Sequence, residues 1–495
     1  MTSSILIIIP IGILIFGGFI IYVVCQNFDL CNRVEALLTV LILFGALIAL
    51  LMLYQQLPTI TKNPEIYFGM ETFGGVVYKP DAYGVFILII ALIVGILITI
   101  FSGEYLSKDP RYLVFYPLVL MTLAGLMGIF LTKNLFNLFL LTELTTVASS
   151  ALIAFRFQQE ISIKAGFKYL IMSSIGTMLL LLGIYYVYRS TGDMHLYQAL
   201  TVTDTFTRIG AACFLLGFSL KAGVVPLHTW VPDVYGHAPS SVSGLLAGVL
   251  SKSMLFIMPV ICLRLGLMNR ELGVYLMLFA CLNMLVGAIR MLKQPLLRRF
   301  LSFSSIGQTG YLMFGLGMGF YYGLDQAFSA ALFLFLIIAV MKSLAFLCVG
   351  IFEYYYGTQD IEILKGAAKE MSLPAVCFSI ALAGLAGIPL LAGFIGKWMI
   401  FSTAITAGDI FAIICLVIFI LSSIISLGGY LPMIVKLFDT SSESSKTLLF
   451  SSSGRRISPW LMIPVALLSI LVVLMGVYPT PWINWIDQVI NWIVV

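Results

Sequence analysis

Four lysines lie where a membrane-spanning chain rarely carries charge. Each of these lysines stands inside a long apolar run, and one carboxylate stands near the middle of another: Lys221, Lys252, Lys342 and Lys397, with Glu143. A lysine at the centre of a membrane helix costs roughly 2.5–3.5 kcal/mol, so four of them cost about 10–14 kcal/mol. Because a whole domain is stable by only about 5–15 kcal/mol, this placement indicates that the charges serve a function.

Lysine and glutamate at membrane depth are suited to proton transfer. Removal from water favours the neutral amine, whereas an adjacent carboxylate holds the proton on the nitrogen. A Glu–Lys pair that is joined and then separated can therefore load and release a proton. Arginine would not do this, because guanidinium keeps its proton. Two simpler alternatives are that Lys221 or Lys397 reaches the membrane surface, and that Glu143 forms a packing ion pair.

Two of the lysines lie beside residues that break helices. Gly223 and Pro226 follow Lys221, while Gly387 and Pro389 precede Lys397. At membrane depth an interrupted helix is tolerated only where protein or water satisfies the freed backbone groups. Interrupted spans at corresponding places in two halves are typical of transporters built from inverted repeats.

Polar residues after the first break are further candidates. His228 and His237 can serve as relay groups, because imidazole changes charge near neutral pH. The alternative is that these histidines pin the broken segment through hydrogen bonds. Asp233 is predicted to cap the apolar run that starts at Ser240.

Composition sets the class of protein. Of the 495 residues, 61% are hydrophobic and 10% are charged, with mean hydropathy +1.08. A soluble domain carries about 25% charged residues, so the chain is predicted to be an all-α polytopic membrane protein. The net charge of +5 is dispersed and indicates no nucleic-acid partner. The eight cysteines form no CxxC and no nucleotide-binding fingerprint is present, so neither a cofactor nor a metal is expected.

The apolar runs predict about fourteen transmembrane helices, of which the seventh and twelfth are broken. Their predicted bounds are 5–24, 34–57, 81–101, 112–131, 135–154, 165–188, 207–227, 240–263, 272–290, 300–320, 327–353, 373–403, 410–435 and 459–477. After the last span, Trp482, Trp485, Val489 and Trp492 share one helical face, which predicts a helix lying in the membrane interface.

Basic residues predict the orientation. Sixteen of the 27 lysines and arginines fall in loops after odd-numbered spans, seven fall in the opposite loops, and the remaining four are the lysines inside spans. The positive-inside rule therefore places the first group in the cytoplasm and both termini outside. The cell (inner) membrane is the expected location.

Several stretches resemble the antiporter-like membrane subunits. They are LFNLFLLTELTTVASSAL from Leu135, LKAGVVPLHTWVPDVYGHAPSSVSGLLAGVLSKS from Leu220, MKSLAFLCVG from Met341 and LAGLAGIPLLAGFIGKW from Leu382. That superfamily includes the proton-pumping arm of respiratory complex I, the Mrp-type sodium/proton antiporters and the membrane-bound hydrogenases; the Mrp D-type and hydrogenase subunits fit best. The resemblance implies helices 1–3 in residues 1–110, two inverted five-helix repeats in 111–266 and 267–437, and a loop, helix 14 and interfacial helix in 438–495.

The resemblance also implies roles, position by position. Glu143 matches the glutamate of the fifth helix and Lys221 its partner lysine on the seventh. Lys252 and Lys342 match the central lysines of the eighth and eleventh helices, and Lys397 matches the exit residue of the twelfth. Many relatives carry a histidine four residues before the eleventh-helix lysine, where this chain has Ile338. Water or a hydroxyl such as that of Ser343 is the expected substitute.

The sequence thus predicts a subunit that translocates protons within a multisubunit complex, coupled to redox chemistry or to sodium exchange. It shows no catalytic centre of its own, so the subunit is expected to belong to an ion-pumping oxidoreductase or to an antiporter. An Mrp-type Na⁺/H⁺ antiporter subunit that uses an ion gradient and a non-transporting scaffold subunit remain open. So do the parent complex, the transported ion, the direction of transport, the electron donor and acceptor, and the neighbouring subunits.

Overall fold

The computed structural model describes residues 2–28, 31–60, 66–68, 76–109, 112–195, 204–264, 270–439 and 457–490. These ranges are almost entirely helical. The helices, labelled in chain order, are α1 Thr2–Asn27, α2 Asn32–Ile60, α3 Ala82–Tyr105, α4 Tyr112–Leu131, α5 Leu135–Ile153, α6 Glu160–Thr191, α7 Thr205–Ala222, α8 Val231–His237, α9 Ser240–Leu245, α10 Ser251–Arg264, α11 Arg270–Met291, α12 Leu297–Tyr322, α13 Asp325–Tyr356, α14 Ser372–Ala386, α15 Ala392–Ala407, α16 Ile410–Phe438, α17 Pro459–Val477 and α18 Thr480–Ile490.

One small hairpin was not predicted from the sequence. Strands β1 Ile66–Phe68 and β2 Val76–Tyr78 pair antiparallel between α2 and α3. Just after the hairpin, the Asp81 carboxylate accepts a hydrogen bond from Gly84 N and caps the start of α3.

Twelve helical stretches of the described residues are long and apolar enough to cross a membrane. The prediction of a polytopic, all-helical membrane protein is therefore confirmed. The polar helix α12 and the interrupted pair α14 and α15 are not among the twelve. The number fourteen and the inverted repeats stay predictions.

Both predicted helix breaks are present. Helix α7 ends at Gly223, whose φ of 74° is readily adopted by glycine, and a short 3₁₀ turn, Leu227–Trp230, leads into α8. Helix α14 ends at Gly387 with φ 87°, and α15 begins four residues beyond Ile388. Beyond this break α8 completes the apolar stretch Thr205–His237. Helix α9, a π-helical turn at Leu246–Leu250 and α10 then form the next stretch, Ser240–Cys262.

Helix α13 is the centre of the molecule. It is buried along nearly its whole length and packs against α3, α12, α14, α15, α17 and α18. The C-terminal helix α18 rests on this core through Ile486 and Val489, and Trp485 Nε1 donates to the Tyr54 hydroxyl at 3.0 Å. The apolar face predicted for α18 is thus the face that packs; Trp492 lies outside the described residues.

Successive connections between the long helices lie alternately at one end of the helices and at the other. The end where α3, α5 and α13 finish and α12 begins is called the inner end, because the basic residues predict it to be cytoplasmic. The end where α7 and α11 begin is called the outer end. This assignment to the two sides of the membrane stays a prediction.

Candidate functional site

The four lysines are enclosed. Their exposed fractions are 6% for Lys221, 2% for Lys252, 0% for Lys342 and 7% for Lys397. Lys221 and Lys397 are therefore surrounded by protein and not exposed at the surface of the chain. None of the four has a carboxylate within ion-pair distance among the described residues.

Lys252 stands at the start of α10, directly after the π-helical turn. Its ammonium donates to Thr309 Oγ1 at 2.8 Å and to Ser305 Oγ at 3.0 Å, both on α12. The preceding turn lies very close to α13, because a Cβ on Gly248 would meet the Ala339 carbonyl at 2.9 Å. Glycine at that position therefore lets the helix carrying Lys252 approach the core of the molecule.

Lys342 lies midway along α13 and also reaches α12. Its ammonium donates to Ser304 Oγ at 2.5 Å and to the Leu301 carbonyl at 3.0 Å. The Ser304 hydroxyl is in turn hydrogen-bonded to the hydroxyl of Tyr430 on α16. The hydroxyls of Ser304 and Tyr430 thus form a short hydrogen-bonded chain that begins at Lys342.

Lys397 closes the second helix break. Its ammonium donates to the carbonyl of Ala386, the last residue of α14, at 2.9 Å and to Ser423 Oγ at 2.9 Å. A cation at this position offsets the partial negative charge of a helix C-terminus. The same ammonium lies 4.9 Å from the centre of the Tyr311 ring of α12, a cation–π distance.

Sequence reasoning predicted helix α12 as the span 300–320 but missed its contacts with the lysines. Lys252, Lys342 and Lys397 all contact it, between Leu301 and Tyr311. Five small or amide side chains in that stretch are buried: Ser302, Ser304, Ser305, Gln308 and Thr309. The signal that could have found these contacts is this density of polar residues in the middle of an apolar run, where no helix end or loop accounts for them.

The Ser343 hydroxyl, named as one possible substitute for the missing histidine, is not hydrogen-bonded to a lysine among the described residues. It donates to the Gly244 carbonyl at 3.2 Å, away from the lysine ammonium groups. Adjacent residues of α12 contact the two lysines instead, Ser305 contacting Lys252 and Ser304 contacting Lys342. A link between the two lysines through water or a hydroxyl stays a prediction.

Glu143 and Lys221 do not form the expected ion pair in this structure. The Lys221 ammonium donates to Thr146 Oγ1 at 2.8 Å, and the Glu143 carboxylate accepts from the Thr177 hydroxyl of α6. Thr146 and Glu143 both belong to α5, so Lys221 contacts the helix that carries Glu143. The two charged groups nevertheless bind separate hydroxyls. This arrangement corresponds to the separated form of the predicted pair, and Glu143 is only partly buried.

Neither histidine is hydrogen-bonded to one of the four lysines among the described residues. His237 Nδ1 is 2.7 Å from the Asp233 carbonyl of its own helix, and His228 Nδ1 is buried without a hydrogen-bond partner. Asp233 does not cap α9, which begins after Pro239 without a side-chain cap. Its carboxylate pairs instead with Lys168 at 2.5 Å and Arg299 at 3.7 Å. The relay role of the histidines stays a prediction.

A second polar centre, which we call the inner ion cluster, lies around Glu353 near the end of α13. Its carboxylate is 3.3 Å from the guanidinium groups of both Arg156 and Arg298, and Tyr105 donates to it at 2.9 Å. Burial of the Arg156 guanidinium opposes its charge, but Tyr105, Asp109 and Glu353 outweigh that effect and raise its pKa.

The inner ion cluster also holds the connection between α8 and α9. Arg298 Nη1 donates to the Ala238 carbonyl between α8 and α9, and Ser240 Oγ donates to Glu353 at 3.2 Å. Arg156 and Arg298 belong to the inner basic residues that the sequence places in loops, but both are largely enclosed by the fold. Their contacts tie the α8–α9 connection to α12 and α13.

No group of three His, Cys, Asp or Glu side chains among the described residues is placed to hold a metal ion. The expectation of no cofactor stays a prediction.

The fold and this set of enclosed lysines define a class of protein: a polytopic, helical membrane subunit of the antiporter-like type. Comparison with known families gives the same class. The chain belongs to the family described as "NADH:quinone oxidoreductase/Mrp antiporter, TM", which matches residues 132–426.

Individual relatives agree. The chain is 30% identical over 436 residues to NADH-quinone oxidoreductase subunit N 2 of Chloroherpeton thalassium, covering 84% of this chain and 82% of the relative. It is 29% identical over 339 residues to the D-type subunit of a Na(+)/H(+) antiporter from Alkalihalophilus pseudofirmus, covering 67% of each. A chain of the archaeal membrane-bound sulfane sulfur reductase, a respiratory membrane complex, has the same fold with TM-score 0.87 and 23% identity, covering 99% of this chain and 98% of that one.

Proposed function

We propose that this chain is a proton-translocating, antiporter-like subunit of a multisubunit membrane complex. Glu143 tunes Lys221, Lys252 passes the proton on, Lys342 receives it and Lys397 releases it at the second helix break. The observation that carries the proposal is the convergence of Lys252, Lys342 and Lys397 on the polar stretch of α12. His228 and His237 remain secondary candidates for the relay.

The partners of the lysines support proton exchange. A carboxylate partner would hold the proton on the nitrogen, whereas a hydroxyl can accept from an ammonium or donate to a neutral amine. Ser304, Ser305 and Thr309 are such partners, and Tyr430 extends the series from Ser304. The hydrogen bonds can therefore be kept in either protonation state, which makes loss and gain of the proton less costly.

Substitution of Lys252 tests the proposal. Lys252→Arg keeps the charge but not the ability to release a proton, so both Lys252→Arg and Lys252→Ala should abolish proton uptake by vesicles containing the intact complex. Lys133→Arg is the matched control, because Lys133 is also buried but is paired with Asp81 at 2.7 Å. Full pumping by Lys252→Arg would refute the relay and favour a scaffold role.

Exchange of Na⁺ for H⁺ is the second candidate function, favoured by the similarity to the D-type antiporter protein. A sodium site requires hard oxygen ligands. The surroundings of the four lysines, which together we call the lysine axis, supply hydroxyls and carbonyls with one nearby carboxylate, Glu143. Proton movement that depends on external Na⁺ in the same vesicles would assign exchange. Proton movement that depends only on an electron donor and acceptor would assign a redox pump.

Neighbouring membrane subunits are part of the proposal. Glu143 lies in the middle of a membrane helix and is only partly buried within this chain. A charge at that depth is costly against lipid, so a further subunit is expected to cover it. We also propose that the chain divides into the four regions expected from the sequence, with limits at residues 110, 266 and 437. Its proposed location is the cell membrane.

A further inference from the structure

A cavity opens at the outer end, between the first and second halves of the chain. It has a volume of about 200 Å³ and is enclosed by α7, α10 and α11. Arg208 and Glu271 stand at its mouth, and both side chains are exposed. A water needs roughly 10–15 Å³ of such space, so the cavity has room for several.

The floor of the cavity reaches the level of the first helix break. Leu215 and Tyr275 line the cavity, and the Tyr275 hydroxyl shares a hydrogen bond of 2.9 Å with Ser219 Oγ. Ser219 precedes Lys221 by two residues in α7, which is about 3 Å along the helix axis. The Ser219 carbonyl also accepts from Val224 N at the break itself. The cavity therefore leads from a charged mouth to the residues that end α7.

We propose that this cavity is a water-filled vestibule through which protons pass between the outer surface and the first half of the lysine axis. Tyr275 and Ser219 are its inner positioning residues. The inference rests on the proposed function for its purpose, but the water content of the cavity is measured independently of transport.

Water in the vestibule is tested with single cysteines on two faces of α7. Leu215→Cys lies in the cavity wall, whereas Leu216→Cys lies next to it with 43% of the native side chain exposed, outside the cavity. Only a thiol in contact with water forms the reactive thiolate readily. A charged, membrane-impermeant methanethiosulfonate added outside should modify Leu215→Cys at least about tenfold faster than Leu216→Cys.

The labelling uses right-side-out vesicles that contain the intact complex, with the eight native cysteines replaced by alanine. Where that background fails to assemble, the chain with only Cys31 and Cys262 replaced gives the same comparison, because Cys31 is exposed, Cys262 lines the cavity and the other six cysteines are buried. Equal rates at the two positions, or modification of Leu215→Cys from the inside only, would overturn the vestibule.

A transport measurement shows whether protons use the vestibule. Tyr275→Phe removes one hydroxyl and should slow proton translocation severalfold while leaving the labelling of Leu215→Cys unchanged. Tyr322→Phe is the control, since Tyr322 is at the same end but binds Asp409. A normal rate in Tyr275→Phe, with transport lost in Lys252→Arg, would overturn the vestibule and leave the proposed relay intact. Normal transport in Lys252→Arg would instead remove the relay.

Discussion

At the scale of single residues, the lysines differ from ordinary buried charges in what they bind. Lys133 has a carboxylate partner, Asp81, and Arg298 has Glu353. Lys252 and Lys342 have only hydroxyl and carbonyl oxygens. A buried charge held by neutral groups is tolerated only where its charge is needed or where it is not permanent. The contrast separates the lysines of the axis from those that stabilise the fold.

Ser304→Ala should slow proton translocation by about tenfold or more. The Ser304 hydroxyl is the side-chain partner of Lys342 and its link to Tyr430. A hydrogen bond to a charged group contributes about 1.5–3 kcal/mol, and about 1.4 kcal/mol corresponds to a tenfold change in rate. The measurement is the initial rate of proton uptake by vesicles with the intact complex.

Ser302→Ala is the control for this prediction. Ser302 is equally buried on the same helix, but its hydroxyl donates to the backbone carbonyl of Arg298, one turn earlier in α12. The same loss of rate in both variants would show that any change in α12 disturbs transport and that Ser304 has no particular role.

The sequence located the lysines but not their partners. A lysine inside an apolar run is conspicuous because its cost does not depend on the rest of the fold. Serine and threonine give no such signal, since each can bond to its own helix, as Ser302 and Thr309 do. The separation of Glu143 from Lys221 also depends on Thr146 and Thr177, which only the packing of α5, α6 and α7 brings to them.

At the scale of elements, the two helix breaks are held by different contacts. The second break is held by Lys397 itself, through the Ala386 carbonyl. The first break is held by neutral side chains: Trp230 Nε1 donates to the Leu220 carbonyl at 2.9 Å, and Asn283 Oδ1 accepts from Val225 N at 3.3 Å. A lysine therefore contacts the second break directly, while neutral groups hold the first.

Glu353→Gln should destabilise the protein by about 3–5 kcal/mol, because it leaves the buried Arg298 and Arg156 guanidinium groups without their shared carboxylate. Thermal unfolding in detergent measures the loss. In the control Glu362→Gln the native carboxylate is 50% exposed and pairs with Lys365 and Lys436, so the change should stay under about 1 kcal/mol. Equal shifts in the two variants would mean that the inner ion cluster does not stabilise the fold.

The positions of the helices could be predicted from the sequence, because apolar runs and Gly or Pro breaks determine helices through nearby residues alone. The run predicted at 459–477 is α17, Pro459–Val477, and that predicted at 112–131 is α4. The β1–β2 hairpin was missed, since it consists of short strands within a polar connection. The inner ion cluster was missed as well, because Arg156, Arg298 and Glu353 are far apart in the chain and each lies close to a helix end.

At the scale of the whole molecule, the two ends of the helices are unlike. At the inner end, Arg298 and Glu353 join α8, α9, α12 and α13 through charge-assisted hydrogen bonds. At the outer end, the seam between α7, α10 and α11 contains the open vestibule. Buried charges thus hold the inner end together, while the outer end carries the cavity that we propose to contain water.

The orientation of the chain can be tested directly. The excess of basic residues at the inner end predicts that the C-terminus is external. Alkaline phosphatase fused at the C-terminus should therefore be active in cells, and green fluorescent protein at the same position should be dark. Fusions after Asp439, at the end of α16, should give the reverse result. Fluorescence from the C-terminal fusion would invert the orientation, so that the vestibule would open to the cytoplasm and the inner ion cluster would face the outside.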